Sequence, residues 1–264
     1  MTFPATAVVT GSESGIGRAA AVALARAGCD VGITWYRDRA AGERTAAEVR
    51  ALGRRAELRH LDLTRLPDAA GVVDDLADAL GGIDVLVNDA GTGTATPFLE
   101  LSYPDWREVL AVDLDGAFLC SQRAARRMVD AGRGGRIIMI TSVHEHQPRV
   151  GTAPYCAAKA GLGLTAAVMA LELGEHGITV NCVAPGEIAT PMTGQEDVDP
   201  RTERRPGVPL GRPGDAREVA AVVAFLAGED AAYVTGASWV VDGGMNRMGP
   251  QGGSHLPDDS WRRP

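Results

Sequence analysis

The sequence predicts an α/β protein, a doubly wound parallel sheet with helices on both faces. Three observations carry that expectation. Short apolar runs alternate with stretches of helix length along most of the chain, a glycine-rich turn joins the first run to the first helical stretch, and no break in composition marks a linker. Near-continuous apolar runs, separated by crossovers long enough for a helix, are the mark of strands buried on both faces. The 264 residues are enough for one domain, 1–264, with a substantial core.

The elements follow in order. "TAVVT" is β-branched and reads as a strand, "GSESGIG" as a tight turn, "RAAAVALARAG" as an alanine-rich helix with a glycine stop, and "CDVGITW" as the second strand. "AELRHLDL", "IDVLVNDAG", "GRIIMITS", "ITVNCVAPG" and, after the helix "DAREVAAVVAFLAG", the run "SWVVDGG" complete seven strands. Long helical stretches such as "PDWREVLAVDLDGAFLCSQRAARRMVDAG" lie between them. Two segments fall outside the alternation. Residues 187–214 are rich in Pro, Gly and charge and follow a strand end, as a substrate-covering loop does. The tail 249–264 has the composition of a disordered segment.

Composition narrows the function classes. An apolar share of 45% and a charged share of 23% are those of a globular protein, and a net charge of -8 opposes binding to nucleic acid or an anionic membrane. The N-terminus lacks the pattern of a signal peptide and no unbroken apolar run has the length of a membrane span, so the cytoplasm is the expected compartment. The basic clusters "RRAELRH", "RAARRM" and "RTERRP" are interrupted and read as solvated faces. Cys29, Cys120, Cys156 and Cys182 stand apart without zinc spacing, so buried thiols are expected and no metal site.

Two groups of residues point to chemistry. The turn Thr10-Gly11-Ser12-Glu13-Ser14-Gly15-Ile16-Gly17 sits between a strand and a helix, where glycines let the backbone approach a pyrophosphate at the positive end of the helix. Tyr155 and Lys159 stand four residues apart on one helical face, downstream of Ser142 at a strand end. A free phenol titrates near pH 10, and using one for acid/base work near neutrality needs a shift of roughly three units. A neighbouring ammonium supplies the right sign. Ser142 could then hold a substrate oxygen before Tyr155.

"TGSESGIG", "NDAG", the strand-end serine, "YCAAK" and "VAPGEIATPM" occur in the order and spacing of the short-chain dehydrogenase/reductase family, which the chain resembles over at least residues 5–247. The resemblance implies a Rossmann-like seven-stranded sheet, a nicotinamide cofactor and reversible hydride transfer between a carbonyl and an alcohol. By position Ser142, Tyr155 and Lys159 match the family's substrate-orienting serine, acid/base tyrosine and ribose-binding lysine. Gly11, Ser14, Gly15, Ile16 and Gly17 match the pyrophosphate loop, Asp62 and Leu63 the adenine contacts, and Asn88, Ala90 and Gly91 the segment after the fourth strand. Pro185, Gly186, Ile188 and Thr190 match the contacts to the nicotinamide carboxamide. His144 and Glu187 are candidates to face the substrate, and Glu145 and His146 lie beside the same mouth.

The chain departs from the family twice. Asp89 replaces an asparagine, with little change expected. Asp113 replaces the asparagine that usually completes the catalytic set, and its carboxylate can still accept hydrogen bonds. Arg37, just past the second strand, favours NADP(H), while Glu13, Asp38 and the non-basic Ser14 leave NAD(H) possible. The expected substrate is a small carbonyl or secondary alcohol, with aldoses, 3-oxoacyl thioesters and diketones all compatible. If an acyl carrier docks, "RTERRP" is the candidate patch. The alternative is a non-catalytic dinucleotide-binding regulator or scaffold, which the intact Ser142, Tyr155 and Lys159 disfavour. The resemblance further implies a homotetramer or homodimer built through the two long helices and the last strand.

Overall fold

The computed structural model describes residues 5–196, 198–248 and 258, so the 249–264 tail lies, but for one residue, outside the described residues. All seven expected strands are present in one parallel sheet: β1 (Thr6–Val9), β2 (Asp30–Trp35), β3 (Ala56–His60), β4 (Val85–Asn88), β5 (Gly135–Ile140), β6 (Ile178–Pro185) and β9 (Ser238–Val241). Their order is β3-β2-β1-β4-β5-β6-β9, so the chain builds outward from β1 in one direction and then, from β4, in the other. The order reverses between β1 and β4, and a crevice opens there at the carboxyl ends of the strands.

Alternation along each strand splits the core in two. Ala7, Val9, Val31, Ile33, Val85 and Val87 pack beneath α1 (Gly15–Arg26), α2 (Arg39–Ala51) and α7 (Ala216–Ala227). Val8, Leu86, Ile137, Met139, Val180 and Cys182 pack beneath α3 (Val72–Leu80), α5 (Gly116–Ala131) and α6 (Ala153–Leu173). Every residue of β6 is buried, which is why its sequence is largely apolar, and its buried Asn181 is hydrogen-bonded to Val234 O and Ala237 N–H. Cys29, Cys120 and Cys182 are buried, Cys156 half-buried, and all four are free thiols.

Three features were not expected. The helix α4 (Tyr103–Leu110) runs into α5 through a π-helical turn at Ala111–Asp115, which holds Asp113. The loop after β6 is closed at its base by a small parallel pair, β7 (Ile188–Ala189) with β8 (Gly214–Asp215). The segment Ala153–His176 is long and apolar enough, by length and composition alone, to cross a membrane, which a search for unbroken apolar runs overlooked. In the fold, Ala158, Leu162, Ala166 and Ala170 of α6 enter the core, while Leu164, Val168 and Leu171 are exposed.

Candidate active site

The glycine-rich turn lies at the mouth of the crevice and is tied to both neighbouring strands. Gly11 N–H donates to Thr34 Oγ1 at 2.9 Å, Thr34 N–H to Ser12 Oγ at 3.0 Å, and Thr10 Oγ1 accepts from the N–H groups of Asp89 and Ala90, each at 3.0 Å. Gly11 has φ +65°, and a Cβ there would stand 2.8 Å from Ala90 Cα, so only glycine fits. Ser14 is the N-cap of α1 but makes no side-chain cap bond, which leaves donors at the first turn of the helix facing the crevice. Across it, a Cβ at Gly15 would come within 3.5 Å of the Thr190 side chain. The turn and the start of the loop after β6 are therefore two walls of one narrow cleft, a shape suited to a dinucleotide.

The other sequence-predicted cofactor residues have the following surroundings. Asp62 accepts from Thr64 N–H at 3.0 Å and from its hydroxyl at 2.6 Å, and that hydroxyl holds its carboxyl below the usual range. Leu63 is buried against Gly116. Asn88 turns its side chain into the fold, donating to Ser121 Oγ at 2.8 Å and facing the Met139 sulfur, so only its backbone and those of Ala90 and Gly91 reach the cleft. Pro185 ends β6, Gly186 donates to Val241 O at 3.0 Å, and Ile188 is in β7. Thr190 caps the short turn Pro191–Thr193. At the end of β2, the Arg37 guanidinium lies 5.2 Å from the centre of the Tyr36 ring. Glu13 accepts from Tyr36 N–H at 2.5 Å and, more weakly, from Arg37 N–H at 3.4 Å.

Ser142, Tyr155 and Lys159 meet at the ends of β5 and α6. Ser142 caps the 3-10 turn Val143–Glu145, and its Oγ accepts from His144 N–H at 3.2 Å, which leaves its own proton free to donate. The Lys159 ammonium lies 5.4 Å from the centre of the Tyr155 ring, is almost wholly buried, and donates to Ile140 O at 3.2 Å. The His144 ring stands edge-on to Tyr155 at 6.2 Å.

Behind this group lies a cluster of charge that the sequence did not reveal. Asp113 Oδ1 is 3.0 Å from Lys159 Nζ, and Oδ2 accepts from Thr92 N–H at 2.8 Å. The two carboxylate oxygens thus engage lysine and loop directly, as an accepting carboxylate can. Burial pushes the Asp113 carboxyl up, against the pull of the Lys159 charge. Burial works against the Lys159 ammonium, yet Asp113 foremost, with Tyr155 and Asp89, holds it above the usual lysine range.

Asp89, expected to change little, has its carboxylate against Gly17 at the first turn of α1, and burial pushes its carboxyl up to about 7 against the pull of Lys159 and of the Gly17 N–H. A pattern search could have flagged the two aspartates at asparagine positions, but not that both face one lysine.

Three candidates for the substrate mouth are turned elsewhere. The Glu187 carboxylate is held by Arg205 Nε at 2.6 Å and Gln195 Nε2 at 3.1 Å within the 187–214 loop, so it latches that loop rather than facing a substrate. The same contact turns Arg205 of the "RTERRP" patch inward, while Arg201 and Arg204 stay exposed. Glu145 accepts from the hydroxyls of Thr141 at 2.7 Å and Ser238 at 3.1 Å, and His146 is exposed beside Ser238. Only His144 stays by the catalytic group.

The profile of the family described as "Enoyl-(Acyl carrier protein) reductase" matches residues 10–246. The chain is 51% identical over 245 residues to an uncharacterized oxidoreductase, YohF, of Escherichia coli, covering 93% of this chain and 97% of that one. Among solved structures it is similar to acetoin dehydrogenase YohF from Salmonella typhimurium, with 49% identity and a TM-score of 0.89 over 96% of this chain and 99% of that one. It is equally similar to acetoin dehydrogenase from Enterobacter cloacae, with 50% identity and a TM-score of 0.89 over 95% and 98% of the two chains.

Proposed function

The chain belongs to the short-chain dehydrogenase/reductase family, and from that premise we propose that it is an NADP(H)-dependent oxidoreductase that interconverts a small ketone and a secondary alcohol, with acyloins of the acetoin type as its substrate class. That it is an oxidoreductase of alcohol and ketone groups using a nicotinamide dinucleotide follows from the family itself. The observation that carries the finer reading is the convergence of Ser142, Tyr155 and Lys159 beside the cleft, with the Ser142 proton free to donate.

The first turn of α1, the Gly11 to Gly17 loop, Asp62, Leu63, the backbone from Asn88 to Gly91, and Pro185, Gly186, Ile188 and Thr190 would hold the cofactor. When bound, the cofactor supplies or accepts the hydride. The protein's own residues manage the proton. Ser142 donates a hydrogen bond to the substrate oxygen and fixes it before Tyr155. In reduction the Tyr155 hydroxyl gives its proton to that oxygen, and in alcohol oxidation the phenolate takes it back. Lys159, held by Asp113 and Ile140 O, favours the phenolate through its charge. Arg37 supports NADP(H): its guanidinium is stacked on Tyr36 with no carboxylate partner among the described residues, so it is available to a 2′-phosphate.

The protein assembles through its exposed apolar faces. Leu164, Val168 and Leu171 of α6 form one, beside Phe118 of α5, and Trp239 and Val240 on the edge strand β9 form another. Such patches on a folded chain mark subunit contacts, as a homodimer or homotetramer requires.

The test is absorbance at 340 nm with NADPH, and separately NADH, against acyloins, diketones, simple ketones, aldoses and acyl-thioester analogues, beside Tyr155→Phe. NADPH-dependent turnover of acyloins that disappears in Tyr155→Phe is the expected result. Saturable NADPH binding with no turnover of any substrate would instead support the regulator or scaffold.

A further inference from the structure

The Ser142–His144–Tyr155 corner has a hydrogen-bonding polarity that bears on which molecules it accepts. His144 Nδ1 lies 3.0 Å from the carbonyl oxygen of Gln147. A carbonyl only accepts, so Nδ1 is the donor in this bond, and in the tautomer that makes it Nε2 presents a bare lone pair. The anchor is itself held, since the Gln147 side chain donates to Asn246 O at 2.9 Å. The His144 main chain is fixed to Ser142 Oγ, and its half-buried ring stands against Tyr155. Nε2 makes no hydrogen bond to any described residue.

The partners available to a substrate in this corner are therefore unequal. Ser142 offers a proton because its oxygen is already bonded to His144 N–H, and Tyr155 offers another; both suit the reacting carbonyl oxygen. The nearby acceptors Glu187 and Glu145 are engaged, the first by Arg205 and Gln195 and the second by Thr141 and Ser238. His144 Nε2 is the acceptor left over. A plain ketone has no proton to give it. A ketone or alcohol with a hydroxyl on the adjacent carbon meets both kinds of partner at once.

We propose that His144 is a specificity-determining residue that selects α-hydroxyketones and vicinal diols by accepting a hydrogen bond from the hydroxyl next to the reacting carbon. This rests on the oxidoreductase reading above and assigns its substrate preference to one atom. It also predicts that a vicinal diketone, which has no such hydroxyl, is a poorer substrate than the hydroxyketone derived from it.

The test compares kcat/KM for 2,3-butanediol with that for 2-butanol, and acetoin with 2-butanone, in the wild type and three variants. His144→Asn places an amide nitrogen near the position of Nδ1, so it keeps the bond to Gln147 O while deleting Nε2. His144→Gln places an amide oxygen near Nε2, and His144→Leu removes both. The wild type is expected to favour the hydroxylated partner of each pair, and that ratio is expected to fall about tenfold or more in the Asn and Leu variants and to be largely kept in Gln. A ratio kept in Asn, or both substrates falling together so that the ratio stands, would overturn the assignment and leave His144 a packing role. A wild type with no preference overturns it as well. The broader reading fails separately: NADPH binding with no turnover of any alcohol or ketone would sink the oxidoreductase and this proposal together, whereas active variants with an undiminished ratio sink only the role of His144.

Discussion

Replacing Asp113 by asparagine should shift the pH dependence of the reaction toward acid. At the 5.4 Å between Lys159 Nζ and the centre of the Tyr155 ring, and an effective dielectric constant of about 20, the ammonium stabilises a phenolate by about 3 kcal/mol. Asp113 is one ion-pair length, 3.0 Å, behind that ammonium. It is therefore no farther than about 8 Å from the ring centre, at which distance its charge opposes the phenolate by about 2 kcal/mol. The carboxylate thus cancels much of what the lysine contributes.

Asparagine has the same shape, can still accept from Thr92 N–H, and carries no charge. Lys159 keeps its bond to Ile140 O and the nearby Asp89. The sign is fixed by the reaction: alcohol oxidation needs the phenolate, so its rate rises with pH, and removing a negative charge lets the phenolate form earlier. At about 1.4 kcal/mol per pH unit, the rising limb of kcat/KM for 2,3-butanediol oxidation should move about one unit to lower pH. The assay is the pH–rate profile over roughly pH 6 to 10 for wild type and Asp113→Asn, with thermal unfolding to confirm that both are folded. A limb that moves by less than about 0.3 units, or toward alkali, would refute the charge balance argued here.

Four further outcomes are expected. Because burial lifts Asp89 to about 7, its ionisation between roughly pH 6 and 8 puts a negative charge against Gly17 N–H, so NADPH affinity by fluorescence titration should weaken several-fold over that interval in the wild type but not in Asp89→Asn. The same group is raised above its unfolded value, so its contribution to stability is complete below about pH 4 and lost as pH rises through about 7; Asp89→Asn should melt higher than the wild type at pH 8, with the gap closing toward pH 4. Gly17→Ala would set a Cβ 2.5 Å from Gly11 O and 2.6 Å from Asp89 Oδ2, and should weaken NADPH binding more than tenfold in the same titration; unchanged affinity would show that the loop gives way without cost. Leu164→Lys together with Leu171→Lys should reduce the sedimentation coefficient, and an unchanged assembly would place the subunit contact on another face.

What the sequence made plain and what it hid follow from the range of the interactions involved. Strands such as Ile178–Pro185, buried along their whole length, are largely apolar, with only Thr179 and Asn181 polar, and so stand out as runs. The pair Ile188–Ala189 and Gly214–Asp215 was not, because two residues have no periodicity and the partner strand lies across the whole loop. Ser142, Tyr155 and Lys159 were legible for the opposite reason to the loop: a strand end and one helical turn bring them together locally. Glu187 looked available because its captor, Arg205, is 18 residues further on in a segment without pattern. The π-helical turn at Ala111–Asp115 looked like ordinary helix, since its residue types are the same and only the register changes.

The charge cluster shows where a residue-by-residue reading stops. Asp89 and Asp113 each looked like a mild exchange of carboxylate for amide, and each would be mild alone in water. Their consequence comes from the fold, which sets the half-buried Asp89 against the first turn of α1 and the buried Asp113 against Lys159, so that both carboxylates act on one lysine. Two carboxylates and one ammonium there leave an uncompensated negative charge, which is expensive to bury. Burial holds a proton on Asp89 up to about pH 7, against the pull of Lys159. It follows that the charge behind Tyr155 depends on pH on the cofactor side of the cleft as well as at the phenol. The two aspartates should therefore not act independently: removing Asp113 should lower the pH at which Asp89 loses its proton. In the double variant Asp89→Asn with Asp113→Asn, the pH dependence of NADPH affinity should be absent, while in Asp113→Asn alone it should persist at lower pH. If that dependence stayed at the same pH in the single variant, the two carboxylates would be electrically separate and the cluster would not be a unit.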